Sequence, residues 1–317
     1  GASGFLFISG VSIALSYRNR IYKVEVLKVF TKSRVRNSYL LRALFLLIIA
    51  IFYNLSIALA INDLTYIWSW FVLLTASISL LVGWPLLKLP KYFRIVIGLS
   101  IWILNQFLFE ILINYNGQVN IFGGVFHLLY NKPHLDPILT FFPFFLFGTV
   151  MGELISDLNF DNTELSRKKT IRTIKKYIII GPILIFIGIF LWFPDYLVRS
   201  SLSWSIYSLG IQLTLLMTLF IFELLFGNNI KKNYKFLFYF SYYSFTVYLT
   251  HSLLYFLFLK QLDYINIWFA ILITFLTFGM LLKIIYHYWK DKFSIKILLG
   301  RISSYFADKL ETRRKNI

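Results

Sequence analysis

Tyr39–Ile61 reads YLLRALFLLIIAIFYNLSIALAI, 23 residues whose only charge is Arg42 near one end. As a helix at about 1.5 Å per residue this stretch reaches about 34 Å, enough to cross the ~30 Å hydrocarbon core of a bilayer. A large soluble core does not explain so long a charge-poor run, and the stretch is not alone. Similar segments occur at Gly4–Tyr17, Tyr66–Leu87, Phe93–Ile113, Pro137–Ser156, Tyr177–Leu197, Ser203–Phe226, Phe236–Leu259 and Ile267–Tyr288. The composition agrees: 58% hydrophobic, 20% aromatic and 15% charged, with a mean hydropathy of +0.71. Soluble domains carry about 25% charged residues. The fold class read from the sequence is therefore all-α, a polytopic transmembrane helix bundle with about nine visible hydrophobic segments.

The net charge of +18 would point to nucleic acid if it formed a patch, but it lies between the spans on alternate sides. One set of connections, with the C-terminal tail, carries 27 Lys and Arg; the other carries only Lys132, Arg199 and Lys260. The positive-inside rule puts the first set and the C-terminus in the cytoplasm. The expected location is the cell membrane, with no nucleic-acid partner. Residue 1 then falls on the outer side, and at least one further helix is expected upstream in the native protein. Residues 1–290 read as one transmembrane domain, N-terminally incomplete, and 291–317 as a basic, amphipathic cytoplasmic tail on anionic lipid. The outer segment between Asn114 and Asp136 holds an amphipathic stretch, Ile121–Tyr130, suited to the interface. There is no cysteine, which excludes thiol catalysis and disulfides.

Polar residues recur at membrane depth. Phe240–Leu254 reads FSYYSFTVYLTHSLL. In it Ser241, Ser244, Tyr248 and His251, followed by Tyr255, recur at helical steps and make one stripe. Ser201, Ser205, Ser208 and Gln212 do the same, as do Ser9, Ser12 and Ser16. Asn105, Gln106 and Glu110 share the fourth segment, and Thr149 and Glu153 the fifth. His251 lies about 6 Å outward of the middle of its segment and Gln212 about 5 Å. Gln106 and Glu110 fall at or beyond the midpoint of theirs. These side chains line an expected outer-half cavity. Ser and Thr stripes commonly serve as interhelical glue, and Gly148 and Gly152 have the small-xxx-small spacing of close packing. Arg42, Glu223 and Lys283 near helix ends read as snorkelling groups. His251 and Glu110 differ, because each would cost about 2.5–3.5 kcal/mol or more if lipid-facing and unpaired. His127, His134 and Asp136 in the outer loop are too few and too irregular for a metal site, and no metal is expected.

Phe5–Tyr17 (FLFISGVSIALSY), followed by Arg18 and Arg20, resembles the second transmembrane helix of the acyltransferase-three superfamily. Ser244–His251 resembles its late Ser-to-His helix. Leu135-Asp136 leading into Phe142–Gly152, and Arg199–Tyr207 leading into Gly210, resemble the heparan-α-glucosaminide N-acetyltransferase-like branch. The resemblance implies transfer of an acyl group, usually acetyl, from cytosolic acetyl-CoA to an amine or hydroxyl of an extracytoplasmic sugar or glycan. It implies acyl-CoA phosphates at Arg34, Arg36, Arg42 and Arg94. It implies an acceptor-side cavity at Gln106, Glu110, Gln212, Ser244, Tyr248 and Asp136. His251 becomes a supporting catalytic residue, because the family's principal His lies upstream of Phe5. A transporter or flippase of a glycan or small metabolite is the alternative, and would be marked by inverted repeats or helices broken at mid-membrane. A structural subunit accounts for the aromatic richness but not for a costly His on a polar stripe. The acceptor, the length of the acyl group and homo-oligomerisation are left open.

Overall fold

The computed structural model describes residues 1–28, 30–157, 164–226, 235–251, 258, 261–263 and 266–315. All regular structure among them is helical. The helices are α1 (Ala2–Glu25), α2 (Lys32–Ile61), α3 (Val72–Leu86), α4 (Lys91–Leu112), α5 (Ile121–Tyr130) and α6 (Ile138–Ser156). They continue with α7 (Glu164–Phe190), α8 (Leu202–Phe226), α9 (Lys235–Tyr242), α10 (Ser244–Thr250), α11 (Asn266–Trp289) and α12 (Ile295–Lys315). Single 3-10 turns stand at Leu64–Trp68, Ile113–Tyr115 and Lys290–Phe293. Packing divides the chain into two units, Gly1–Asn228 and Asn229–Ile317.

Among the described residues six stretches are long and apolar enough to cross a bilayer: Lys32–Ile61, Leu64–Leu86, Lys91–Tyr115, Ile138–Ser156, Leu202–Phe222 and Asn266–Arg313. The protein is a polytopic helical membrane protein. The nine segments read from the sequence include shorter or more polar helices such as α1 and α7. Large apolar side chains on the outer face of α2, among them Leu44, Ile48, Phe52 and Leu59, stay exposed. That is expected where the solvent is lipid.

In the first unit α6 is the central helix. Fourteen of its 19 residues are buried, because it packs against α1, α3 and α4. Lipid gives no hydrophobic drive to helix association, so close packing must supply it. The buried face of α1 is Ser3, Leu6, Phe7, Gly10, Val11 and Ala14, at helical spacing. A Cβ on Gly10 would lie 2.1 Å from the Phe145 carbonyl oxygen, and one on Gly148 would lie 2.0 Å from that of Phe7. The two backbones therefore touch. On the other side of α6, α4 presents Arg94, Gly98, Trp102 and Asn105 at steps of four, four and three. Trp102 sits 5.1 Å from Phe144 and 5.0 Å from Phe147, ring centre to ring centre. The α7–α8 pair closes the same way, with Gly181, Gly188 and Gly210 at its contact.

The third hydrophobic segment does not form one helix. It starts as the 3-10 turn and runs extended through Ser69–Phe71 before α3. The buried Asn54 on α2 stabilises the irregular backbone, donating to the carbonyls of Ile67 (3.2 Å) and Ser69 (2.8 Å).

In the second unit the eighth segment also breaks. α9 ends at Tyr242, and Tyr243 has φ −103° and ψ 15° before α10 begins. Groups far along the chain bridge the break. Ser294 Oγ donates to the Tyr242 carbonyl (2.8 Å), Tyr243 OH to that of Lys290 (2.6 Å) and Thr246 Oγ1 to that of Phe293 (2.8 Å). The polar stripe expected along this segment is thus divided after Ser241, and Tyr255 lies outside the described residues.

Candidate active site

The C-terminal half of α1 and the start of α4 meet the C-terminus of α6 at one end of the first unit, the basic end. Arg94 is 1% exposed. It donates to Thr149 Oγ1 at 3.0 Å and forms an ion pair with Glu153. Arg18 pairs with the same carboxylate and reaches Asp157 at 3.2 Å, and Lys91 meets Asp157 at 2.6 Å. The result is an alternating network of three cations and two carboxylates across α1, α4 and α6. A buried cation needs such partners, since an unpaired charge in this environment is costly. The Arg94 Nε is buried without a partner. It borders a pocket of about 230 Å³ lined by Arg18, Lys88, Arg94 and Glu153 among others.

The four arginines expected to bind acyl-CoA all lie at this end but do not form one cluster. Arg94 is in the network. Arg42 lines a second, smaller pocket. Arg34 lies 4.2 Å over the ring of Phe30, and its backbone N–H is bonded by the Thr31 cap of α2. Arg36 is exposed beside Asn37.

The opposite end holds the acceptor-side candidates of this unit. Asp136 is 7% exposed and is fixed through its backbone. Its N–H donates to the Trp70 carbonyl at 2.8 Å, and its carbonyl accepts from Thr75 Oγ1 at 2.6 Å. Its carboxylate pairs with Arg199, whose guanidinium lies 5.6 Å from the ring centre of Phe141. Burial pushes the Asp136 carboxyl up to about 6, against the downward pull of Arg199. Gln106 donates to the carbonyl of Ser200 at 3.1 Å. The Arg199–Ser200 turn thus gathers Asp136 and Gln106 on one short segment. Gln212 Oε1 is buried without a partner on α8, and Glu110 is exposed on α4. Between them Trp102 Nε1 donates to the Thr140 carbonyl (2.8 Å) and Tyr130 OH to Asn105 Oδ1 (2.9 Å), which ties α4, α5 and α6 together.

At the same end α5 and its connections border an open pocket of about 820 Å³, lined by Asn116, Gln118, Asn120, His127, Lys132 and His134 among others. Asp63 at its edge is held near 2 by hydrogen bonds from Thr65 and Lys132. Lys132 lies 3.0 Å from Asp63 and 4.3 Å over the ring of Tyr66. No group of three or more metal-ligating side chains occurs among the described residues.

Ser244, Tyr248 and His251 belong to the second unit. Within it Ser244 and His251 are exposed. The His251 ring meets the Tyr248 carbonyl through Nδ1 and stands 5.0 Å from the Tyr248 ring.

The family model described as "Heparan-alpha-glucosaminide N-acetyltransferase, catalytic" matches residues 1–191. The chain belongs to this family. The match covers α1 to α7 and so includes the Arg94–Glu153 network, Asp136 and the α5 pocket; α8 and the second unit lie beyond it. No curated protein and no solved structure matches the chain. Membership makes the protein a membrane transferase of the acetyltransferase type.

The sequence names Arg18, Arg20 and Arg199 as basic residues of the connections and of the family resemblance without assigning them a site role, and it gives Asp157 none. The available signal was spacing: Thr149 and Glu153 share one face of α6, and Arg94 lies on the face of α4 that Gly98 and Trp102 bring against it.

Proposed function

We propose that this protein moves an acetyl group from acyl-CoA, bound at the basic end, to an amine or hydroxyl of a sugar or glycan at the opposite end. One observation supports the reading: within the first unit, most of which the family model matches, guanidinium groups collect at one end and a buried carboxylate with a large open pocket lies at the other. Asp136 and Glu153 are separated by about 26 Å of helix at 1.5 Å per residue. A long, extended donor such as coenzyme A is the kind of substrate that can place phosphates at one end and a thioester toward the other. Arg94 and its neighbours supply charge-assisted donors to phosphate. Asp136 takes the proton from the attacking acceptor as the thioester carbon–sulfur bond breaks, and the thiolate leaves with coenzyme A. Gln106 is placed to hold the acceptor. His251 acts in support, and the positive-inside rule puts the basic end and the C-terminus in the cytoplasm.

The test is acetyl transfer by purified protein from labelled acetyl-CoA to glucosamine. Arg94→Gln is expected to raise the KM for acetyl-CoA, Asp136→Asn to lower kcat, and His251→Ala to reduce the rate less than Asp136→Asn does. If all three variants transfer acetyl at the wild-type rate, the site assignment is wrong.

A further inference from the structure

At the basic end a second pocket lies between α1, α2 and α3, separate from the Arg94 network. Arg20 and Arg42 line it together with Ser16, Ser38, Tyr39 and Trp84. Arg20 Nη1 donates to Ser38 Oγ at 2.9 Å. Among the described residues no carboxylate pairs with either guanidinium, whereas Arg18, Lys91 and Arg94 all meet Glu153 or Asp157. The Tyr39 hydroxyl is buried and has no hydrogen-bond partner. The pocket wall is fixed: Tyr39 lies 4.8 Å and Tyr17 5.6 Å from Trp84, ring centre to ring centre.

Two guanidinium groups and an unmet hydroxyl around one pocket lack the one thing that would satisfy them all, an anion. Both guanidinium groups are half-buried, where a counter-charge still stabilises a cation, and the buried Tyr39 hydroxyl requires an acceptor. Beyond the Ser38 hydroxyl that Arg20 meets, the described residues offer neither here. We propose that this pocket binds a phosphate group, held by Arg20, Arg42 and the Tyr39 hydroxyl. Three donors on two helices suit several oxygens arranged around one centre, and the guanidinium fork matches phosphate geometry. The pocket volume is about 20 Å³, room for a group little larger than a water molecule. Only the tip of a phosphate enters, and the rest of its carrier stays outside. Two sources share this chemistry: the phosphate monoester on the ribose of coenzyme A, and the headgroup of an anionic phospholipid lying along the exposed face of α2. Only the first rests on the acyl-CoA reading.

The experiment uses the full chain in phosphatidylcholine nanodiscs, with binding constants and thermal midpoints as readouts. One arm compares coenzyme A with dephospho-coenzyme A. The other compares phosphatidylglycerol with phosphatidylcholine, read by lipid retention in native mass spectrometry. The wild type is expected to prefer coenzyme A over dephospho-coenzyme A, or the anionic phosphatidylglycerol over phosphatidylcholine, whose phosphate is neutralised by its own choline, by about tenfold or more, the difference expected of a charge-assisted bond. Arg20→Gln with Arg42→Gln abolishes that preference, and Tyr39→Phe weakens it while the fold is kept. Should the double variant not fold, Arg42→Lys keeps the charge, removes the fork and still weakens the preference. A wild type without preference in either arm overturns the proposal, as does preference that survives these substitutions. Preference for coenzyme A without acetyl transfer would sink the proposed reaction and leave the pocket standing.

Discussion

Arg94 shows how one side chain can carry both stability and function. It is almost wholly buried, and its charge is met by Glu153 and Thr149. Glu153→Gln is expected to cost about 3–5 kcal/mol, because it leaves the guanidinium buried and uncompensated. Arg94→Met with Glu153→Leu should recover most of that loss; thermal midpoints in detergent decide the comparison. Asp136 makes a prediction of the opposite electrostatic kind. Its carboxyl, raised to about 6 by burial, holds its proton more tightly folded than unfolded. Its stabilising contribution is therefore full below about pH 4 and is lost as pH rises through about 6. Unfolding of wild type and Asp136→Asn followed against pH should show the gap between them changing in that window and flat above about pH 7. The sequence revealed Asp136 and Arg94 as residues of interest. It did not reveal their partners, Arg199 and Glu153, because pairing across helices leaves no local trace.

At the scale of elements, the glycines decide which helices may touch. Gly148 and Gly152 were legible as a small-xxx-small pair on α6. Their counterpart Gly10 was not, since nothing in a single sequence says which helix faces which. Gly10→Ala and Gly148→Ala each force a methyl into backbone and should cost about 1–3 kcal/mol or more through overpacking. Gly4→Ala, on the same helix with nothing within 4 Å of the added methyl, should be neutral or slightly stabilising. Folded yield by size exclusion separates the three variants. The division of the eighth segment was illegible for a related reason. Its apolar pattern runs unbroken from Phe236, but the groups that stabilise the break at Tyr243 come from Lys290–Ser294, about fifty residues on.

For the whole molecule, the charge alternation visible in the sequence has a counterpart in the structure. Arg18, Arg20, Arg42, Lys88, Lys91 and Arg94 lie at one end of the first unit, and Asp63, Asp136 and the α5 pocket at the other. The absence of native cysteine permits a clean test of which end faces the cytoplasm. A membrane-impermeant maleimide added to intact cells should label Val119→Cys and leave Lys32→Cys unlabelled. The reverse pattern, or equal labelling, would overturn the assigned orientation. The family match ends at residue 191, so roles proposed for Gln212, Ser244, Tyr248 and His251 rest on the chemistry of those residues and on the resemblance read in the sequence.

The backbone contact between α1 and α6 also sets a clock. Phe7 and Gly148 are 141 positions apart. At about 5–20 residues per second of synthesis, α6 emerges roughly 7–28 s after α1. During that interval the face of Leu6, Phe7 and Val11 lacks its main partner, and α1 is not among the helices apolar enough to cross a bilayer by length and composition alone. α1 comes before α6 from the ribosome, and the close backbone contact between them forms only once α6 has followed.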